Sequence, residues 1–442
     1  MAPSLAGNFV PSSIAMKKVD LTLFQALPRC LLAVGVTGCV EWLVEDVEDS
    51  LVQETLRQKG CRGNAVIPLK ETEFIMPGFI DTHTHAPQFP NIGSGQQYEL
   101  LDWLSNVTFP VEAKFADLDF AQRTYSSVVY RIINNGTTTC CYYGTLHLEA
   151  TKLLADIIKS YGQRAFVGKC SMDRNFHPAE ASIDATESLI AHIRSLNPDH
   201  TQEPLVQPIL TPRFAISLRI QTHISENQSE IEFTKELFPD CSSYAHVYDS
   251  FGLLRSNTVL AHARGSVHCP TSNFNLSSGV APIGEFLGQR HKGLSCSSRR
   301  MTVGLGTDVS GGYSPSILSS VQSASIAAKV IAMKAKESKP MSGNFSDRQL
   351  SVATLLYLAT LGGADVCDLN ERVGSFSAGK SFDALIVNVS AKGDIPSIWD
   401  SGAEKKGKAV LEGMLERFLF CGDDRNIARV FIQGKLVGGT EF

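Results

Sequence analysis

None of the eleven cysteines stand in the C-x-x-C spacing that marks a structural zinc knuckle or a dithiol redox pair. Reduced thiols in a cytosol are the expectation, the adjacent Cys140-Cys141 pair included. A dominant charge is also lacking, with 40 Lys and Arg against 45 Asp and Glu, a formal net charge of −5. The signs are mixed along the chain and form no basic stripe, so nucleic acid is not an expected partner. No apolar run approaches the length of a membrane span, and the opening Met-Ala-Pro-Ser-Leu-Ala-Gly has no charged segment followed by a long apolar one. A soluble, cytoplasmic protein without a membrane partner is expected. The chain shows no internal repeat and no long low-complexity linker. Its 442 residues exceed one ordinary domain but suit a barrel with a satellite domain.

The informative stretch is Met76-Pro-Gly-Phe-Ile-Asp-Thr-His-Thr-His85. Side chains at i and i+2 of an extended strand point to one face, so His83 and His85 can chelate a single metal ion from one strand tip. Further ligands are to be sought at the ends of later apolar runs, because a (β/α) barrel gathers its chemistry at the C-terminal ends of its strands. Three places fit: Ile220-Gln-Thr-His223-Ile-Ser-Glu226, Thr258-Val-Leu-Ala-His262, and Thr302-Val-Gly-Leu-Gly-Thr-Asp308. Each has a plainer reading taken alone, as a core histidine bonded to a carbonyl or as an aspartate capping a helix. Four such strand ends in one chain favour a shared site.

The order His-x-His, His, His, Asp resembles that of the amidohydrolase superfamily. Neighbouring segments narrow the resemblance to the guanine deaminases. They are Ala86-Pro-Gln-Phe, Leu101-Asp-Trp-Leu with Thr108-Phe-Pro, Asn135-Gly-Thr-Thr-Thr-Cys, Gly162-Gln-Arg-Ala-Phe-Val-Gly-Lys, Thr211-Pro-Arg-Phe, His223-Ile-Ser-Glu-Asn, His268-Cys-Pro-Thr-Ser-Asn, Gly304-Leu-Gly-Thr-Asp-Val-Ser-Gly-Gly and Cys421-Gly-Asp-Asp-Arg-Asn-Ile. The likeness runs from about residue 30 to about residue 437. Thr-Pro-Arg-Phe, Gln88 and Gly-Asp-Asp-Arg-Asn are the parts that point to guanine.

The resemblance implies an α/β fold, a distorted (β/α)8 TIM-like barrel over residues 76–374 flanked by a small β-sandwich from residues 1–75 and 375–442. Strand-like segments at both ends agree with it: Val19, Leu21 and Leu23, then Leu31-Leu-Ala-Val, Phe382–Val389, and Arg429–Val437 with a Gln-Gly-Lys turn. Helical periodicity is plain at Phe120–Asn134, Ala150–Tyr161, Ala185–Leu196 and Ser316–Lys336. The implied chemistry is hydrolysis of free guanine to xanthine and ammonia, with one zinc ion on His83, His85, His223 and Asp308. Asp308 is then the base for the attacking water and the acid for the leaving amine, Glu226 protonates ring N3, and His262 orients the water and the developing oxyanion. The implied substrate contacts are His85, Ala86, Pro87, Gln88, Arg213, Phe214, His223, Glu226 and Asp308, with Gln88 and Arg213 reading the O6 and N7 or N1 edge. A homodimer is implied as well.

Alternatives stand beside several of these assignments. Arg213 can simply pair with a carboxylate, and Gln88 can be an ordinary loop amide. Lys169 can be a carbamylated metal bridge, as in other branches of the superfamily, but Glu226 argues for the single-metal deaminase branch. A deaminase or chlorohydrolase for another amino-heterocycle, or a non-catalytic binding protein, remains a rival. The terminal Thr440-Glu-Phe442 matches the loose ending that PDZ domains take as an added strand.

Two crossovers are too short for the family pattern. Nine residues separate Arg213 from His223, and five, Ala-Arg-Gly-Ser-Val, separate His262 from His268. Parallel strands ordinarily need a dozen or more connecting residues. Conversely, the basic, serine-rich 288–301 segment is unlike the family. Such changes at element boundaries are those of a splice form or an imperfect gene model. They lead to the expectation of exposed barrel surface, His223 and His262 out of register, and weak folding or activity.

Overall fold

The computed structural model describes residues 7–10, 13–15, 23–61, 65–170, 179–197, 204–211, 220–254, 258–262, 267–291, 302–338, 349–390 and 407–442. Its centre is a ring of eight parallel strands: Phe79–His85, Thr137–Tyr143, Arg164–Gly168, Val206–Pro208, Ile220–His223, Thr258–Ala261, Val267–His268 and Gly304–Leu305. The first four form one parallel sheet and the last four another. A parallel bridge between Leu210 and Ile220 joins the sheets on one side. On the other side Thr82 Oγ1 donates to the Leu305 carbonyl at 2.8 Å and the Asp308 N–H donates to the His83 carbonyl at 2.8 Å. This is the α/β barrel expected from the sequence.

Burial explains the outer helices. Helix Leu118–Asn134 starts where the Asp117 side chain accepts from the N–H groups of Asp119 and Phe120. It buries Ala121, Tyr125, Val128, Val129, Ile132 and Ile133, a helical period that lays one stripe against the barrel. Helix Leu148–Tyr161 ends at Gly162, whose φ of 75° is the left-handed conformation that a residue lacking Cβ adopts without strain. Helices Ala179–Ser195 and Ile317–Ser338 lie where helical periodicity was expected.

The chain ends build two further sheets. One contains Gly7–Val10, Leu31–Val34, Val40–Val44 and Ala65–Pro68; the other contains Ser13–Ala15, Gln25–Leu27, Glu73–Pro77, Ala384–Asn388, Ile427–Ile432 and Lys435–Gly438. Gln433 and Gly434, at φ 46° and 69°, make the tight turn expected from Gln-Gly-Lys. Strand-like Val19 and Leu21 lie outside the described residues. Arg164, 1% exposed at the start of a barrel strand, is bound by Asp383 at 2.9 Å and by Ser381 Oγ at 3.1 Å, tying the barrel to the second sheet. The C-terminus is tied down too: Thr440 and Glu441 donate their N–H groups to the carbonyls of Ile427 and Ala428.

Among the described residues no helix stands between the fourth and fifth strands or between the sixth and seventh; residues 212–219 and 263–266 lie outside the described set. The expected damage is not what the structure has. Leu210, Ile220 and Leu253 form a buried cluster with Ile190 and Tyr248 packed against it. Val259, Ala261, Val267 and Cys269 form another against Val366. Ile220 is fully buried, and Val259 and Val267 are 2% and 3% exposed, because neighbouring helices cover the wall. Residues 292–301 also lie outside the described set.

Candidate metal centre and substrate cavity

The first strand ends in His83 and His85, on one face of an extended chain. His223 ends the fifth strand, His262 follows the sixth, and Asp308 lies three residues past the eighth. All converge. His85 Nε2 is 3.3 Å from His83 Nε2 and 3.1 Å from His223 Nε2. Asp308 Oδ1 is 3.1 Å from His83 Nε2 and 3.3 Å from His85 Nε2. The other carboxylate oxygen, Oδ2, faces away from that pair toward His262 Nε2, at 3.3 Å, and His262 Nε2 is in turn 3.7 Å from Glu226 Oε2. The expected loss of register at His223 and His262 is therefore absent.

Local bonds set these positions. Asp81 Oδ1 accepts from the N–H groups of His83 and Thr307, and its Oδ2 accepts from the Thr307 hydroxyl, so one buried carboxylate clamps the strands bearing His83 and Asp308 together. His262 Nδ1 lies 3.0 Å from Asn273 Oδ1, which turns Nε2 toward the centre. Tyr248 donates to the His223 carbonyl at 3.0 Å. Asn227 caps helix Gln228–Leu237, while Glu230 in its first turn accepts the Glu226 N–H at 2.7 Å and the Tyr244 hydroxyl at 2.9 Å.

Burial lowers His83 to about 4 and His223 well below its ordinary value, leaving neutral imidazoles that can act as ligands. Burial also opposes charge on His262, but Glu226 and Asp308 overcome it and raise that imidazole to about 10. Burial raises Glu226 to about 8, against the opposing charge of His262. For Asp308, burial is outweighed by His83 and by contacts with His262 and His85, so the carboxylate stays ionised. With Glu226 protonated, Asp308 remains as the anion that favours charged His262.

Beside this centre opens a cavity of about 400 Å³, lined by His85, Gln88, Trp103, Phe109, Glu112, Tyr143, His223, Glu226 and Asp308 among others. Its polar groups sit among apolar walls, the usual make-up of a small-molecule site.

A model of the amidohydrolase family matches residues 74–437. The probable guanine deaminase of Schizosaccharomyces pombe is 40% identical, over 92% of this chain and 80% of its own length. The guanine deaminase of Dictyostelium discoideum is 36% identical, over 95% of this chain and 96% of its own. The chain belongs to the guanine deaminase family of amidohydrolases. A crystal structure of guanine deaminase from C. acetobutylicum with bound guanine in the active site matches at a TM-score of 0.80 and 30% identity, covering 98% of this chain and 100% of that one.

Within that family, the buried cluster is a zinc site. Donor atoms of His83, His223, His262 and Asp308 all lie within 4.8 Å of one another. His85 Nε2 lies 3.1–3.3 Å from two imidazole nitrogens and a carboxylate oxygen and has at most one proton to share among them, whereas a cation satisfies all of them at once. Imidazoles with one carboxylate suit zinc.

Ala86 and Pro87 are buried in the turn Ala86–Asn91, next to Gln88. Arg213 and Phe214 lie outside the described residues. Lys169 Nζ donates to the Cys170 carbonyl at 3.0 Å. Sequence reasoning missed Asp81, Glu112, Tyr143 and Glu230. Glu230 left a local signal in the Asn-x-x-Glu spacing of a helix start, and Asp81 stood inside the histidine motif without its task being legible.

Proposed function

We propose that the chain hydrolyses guanine to xanthine and ammonia. The observation that carries this reading is the convergence of four histidines, Asp308 and Glu226, of which His85, His223, Glu226 and Asp308 line one purine-sized cavity, in a chain of the guanine deaminase family. His83, His85, His223 and Asp308 Oδ1 hold zinc in this reading. A set with His262 in place of His85 also brings donor atoms close, but His262 Nε2 lies against Asp308 Oδ2 and Glu226, on the other side of the carboxylate.

Bound zinc supplies the positive charge that makes a water acidic enough to act as a nucleophile near neutral pH. Asp308 Oδ2 takes that water's proton as guanine C2 is attacked and later delivers it to the departing amine. Glu226, kept protonated by burial, gives its proton to ring N3 as C2 becomes tetrahedral and takes back the proton of the added hydroxyl as the C2 carbonyl forms and the amine leaves. His262 in its charged form donates toward the oxygen and steadies the developing negative charge. Gln88 binds the purine edge, and the family resemblance assigns Arg213 and Phe214 to the substrate as well. A homodimer and a cytoplasmic location complete the reading; light scattering and cell fractionation test them.

The test is ammonia release from guanine by purified, zinc-loaded chain beside a His85→Ala blank. Turnover that disappears in the blank supports the reading; soluble, zinc-bearing wild type that leaves guanine untouched overturns it.

A further inference from the structure

Gln88 is held at both ends. It is 5% exposed, its Oε1 accepts from the Ser310 N–H at 3.2 Å, and its Nε2 donates to Glu112 Oε1 at 3.0 Å. Reversing the carboxamide would set NH₂ against an N–H and a carbonyl oxygen against a carboxylate, so a single orientation is stable. Once these two bonds are made, the amide nitrogen keeps one hydrogen. Both side chains line the cavity, so that hydrogen is what Gln88 has to offer a bound molecule.

We propose that Glu112 is a positioning residue for specificity: it fixes the Gln88 carboxamide with its amine edge toward the cavity, so that Gln88 selects a substrate bearing a hydrogen-bond acceptor. This rests on the reading of the cavity as a guanine site. Guanine carries O6 as an acceptor, whereas 2,6-diaminopurine keeps the reactive C2 amine but presents a donor at C6. Glu112 therefore contributes to rejecting the diamino base although it acts through another residue. Burial shifts its carboxyl upward, and His85 and Gln88 oppose that shift.

The experiment measures kcat and KM for guanine and 2,6-diaminopurine in zinc-loaded wild type, Glu112→Ala, Glu112→Gln, Gln88→Ala and the double alanine variant. Glu112→Ala is expected to raise KM for guanine by about tenfold with a smaller change in kcat, and to narrow the preference for guanine by a similar factor. Glu112→Gln, which can still accept through its carbonyl oxygen, restores most of the preference. The double variant should be no worse than Gln88→Ala alone, because Glu112 acts only through Gln88. Additive losses, or an unchanged preference in Glu112→Ala, overturn the proposal. Should wild type leave guanine untouched, the functional reading fails separately. The coupling is then read from the affinity for guanine and xanthine, measured by quenching of Trp103 in the cavity wall. Affinities that do not differ between wild type and Glu112→Ala, or no binding at all, then overturn it too.

Discussion

Removing His85 should leave the zinc-free protein nearly as stable as before and cost the zinc-loaded protein much of its stabilisation. Without the ion, His85 Nε2 stands 3.1–3.3 Å from two other imidazole nitrogens and a carboxylate oxygen, and one proton can serve one of these contacts. An unsatisfied buried polar contact costs about 1–3 kcal/mol, so His85→Ala relieves a cost similar to the packing it loses. Its apo stability should therefore stay within about 1 kcal/mol of wild type. Zinc at a thousand times its dissociation constant stabilises the folded state by about 4 kcal/mol.

At about 2.1 cal/mol/K per residue, 442 residues give an unfolding entropy of roughly 0.9 kcal/mol/K, so the zinc-induced rise in Tm is about 4 °C in wild type. Loss of one ligand of four should weaken zinc by about a hundredfold, leaving a rise of roughly 1–2 °C at the same concentration. Differential scanning fluorimetry of chelator-treated and zinc-loaded samples reads all four states. An apo variant that melts more than about 3 °C below apo wild type, or a variant with the wild-type zinc shift, would refute the argument.

Other changes have distinct signatures. Glu226→Gln should lower kcat by about 10²–10⁴-fold while zinc content, read by atomic absorption, stays at the wild-type level. Because the Glu226 carboxyl is raised to about 8, turnover should decline as pH rises through that value; stability should likewise fall from the ordinary carboxyl range toward about 8, since the folded state holds a proton that the unfolded chain releases. A pH–rate profile flat to pH 9 would remove Glu226 as the acid. Asp81→Ala, which unclamps His83 from Thr307, should weaken zinc about 10–100-fold in a competition titration with the fold retained by circular dichroism. Arg164→Ala leaves Asp383 buried without its partner and should cost about 3–5 kcal/mol in urea unfolding; a loss below about 1 kcal/mol would show that the pair is dispensable.

What could be read in the sequence follows from how far each signal extends along the chain. The i, i+2 spacing of His83 and His85 is strand geometry written locally, and His223 and Asp308 stand at the ends of apolar runs. Helix positions followed because the buried stripe of Leu118–Asn134 repeats with helical period. Glu112 left no such mark. It lies 24 residues from Gln88, with no periodicity relating the two, and only the packing of turn Ala86–Asn91 beside helix Phe109–Glu112 brings them to 3.0 Å. Asp81 was visible inside the histidine motif, but its task depends on Thr307, 226 positions away.

The short crossovers show why sequence length between strands misled about the site. The expectation of lost register treats the outer helices as the parts that hold the strand ends in place. In the structure that work belongs to bonds across the barrel mouth: Asp81 to Thr307, the Asp308 N–H to the His83 carbonyl, His262 to Asn273, and Tyr248 to the His223 carbonyl. Each crosses between segments that lie outside the two short connections. The helices' own task is to cover apolar wall, and Ile190, Leu253, Tyr248 and Val366 take over part of it from neighbouring elements. Shortening a crossover therefore falls on global stability, through covered area, while the geometry of the ligands is fixed separately. The two properties are separable in one chain: covered apolar area bears on how easily the barrel unfolds, and the bonds across its mouth set the distances at the metal centre.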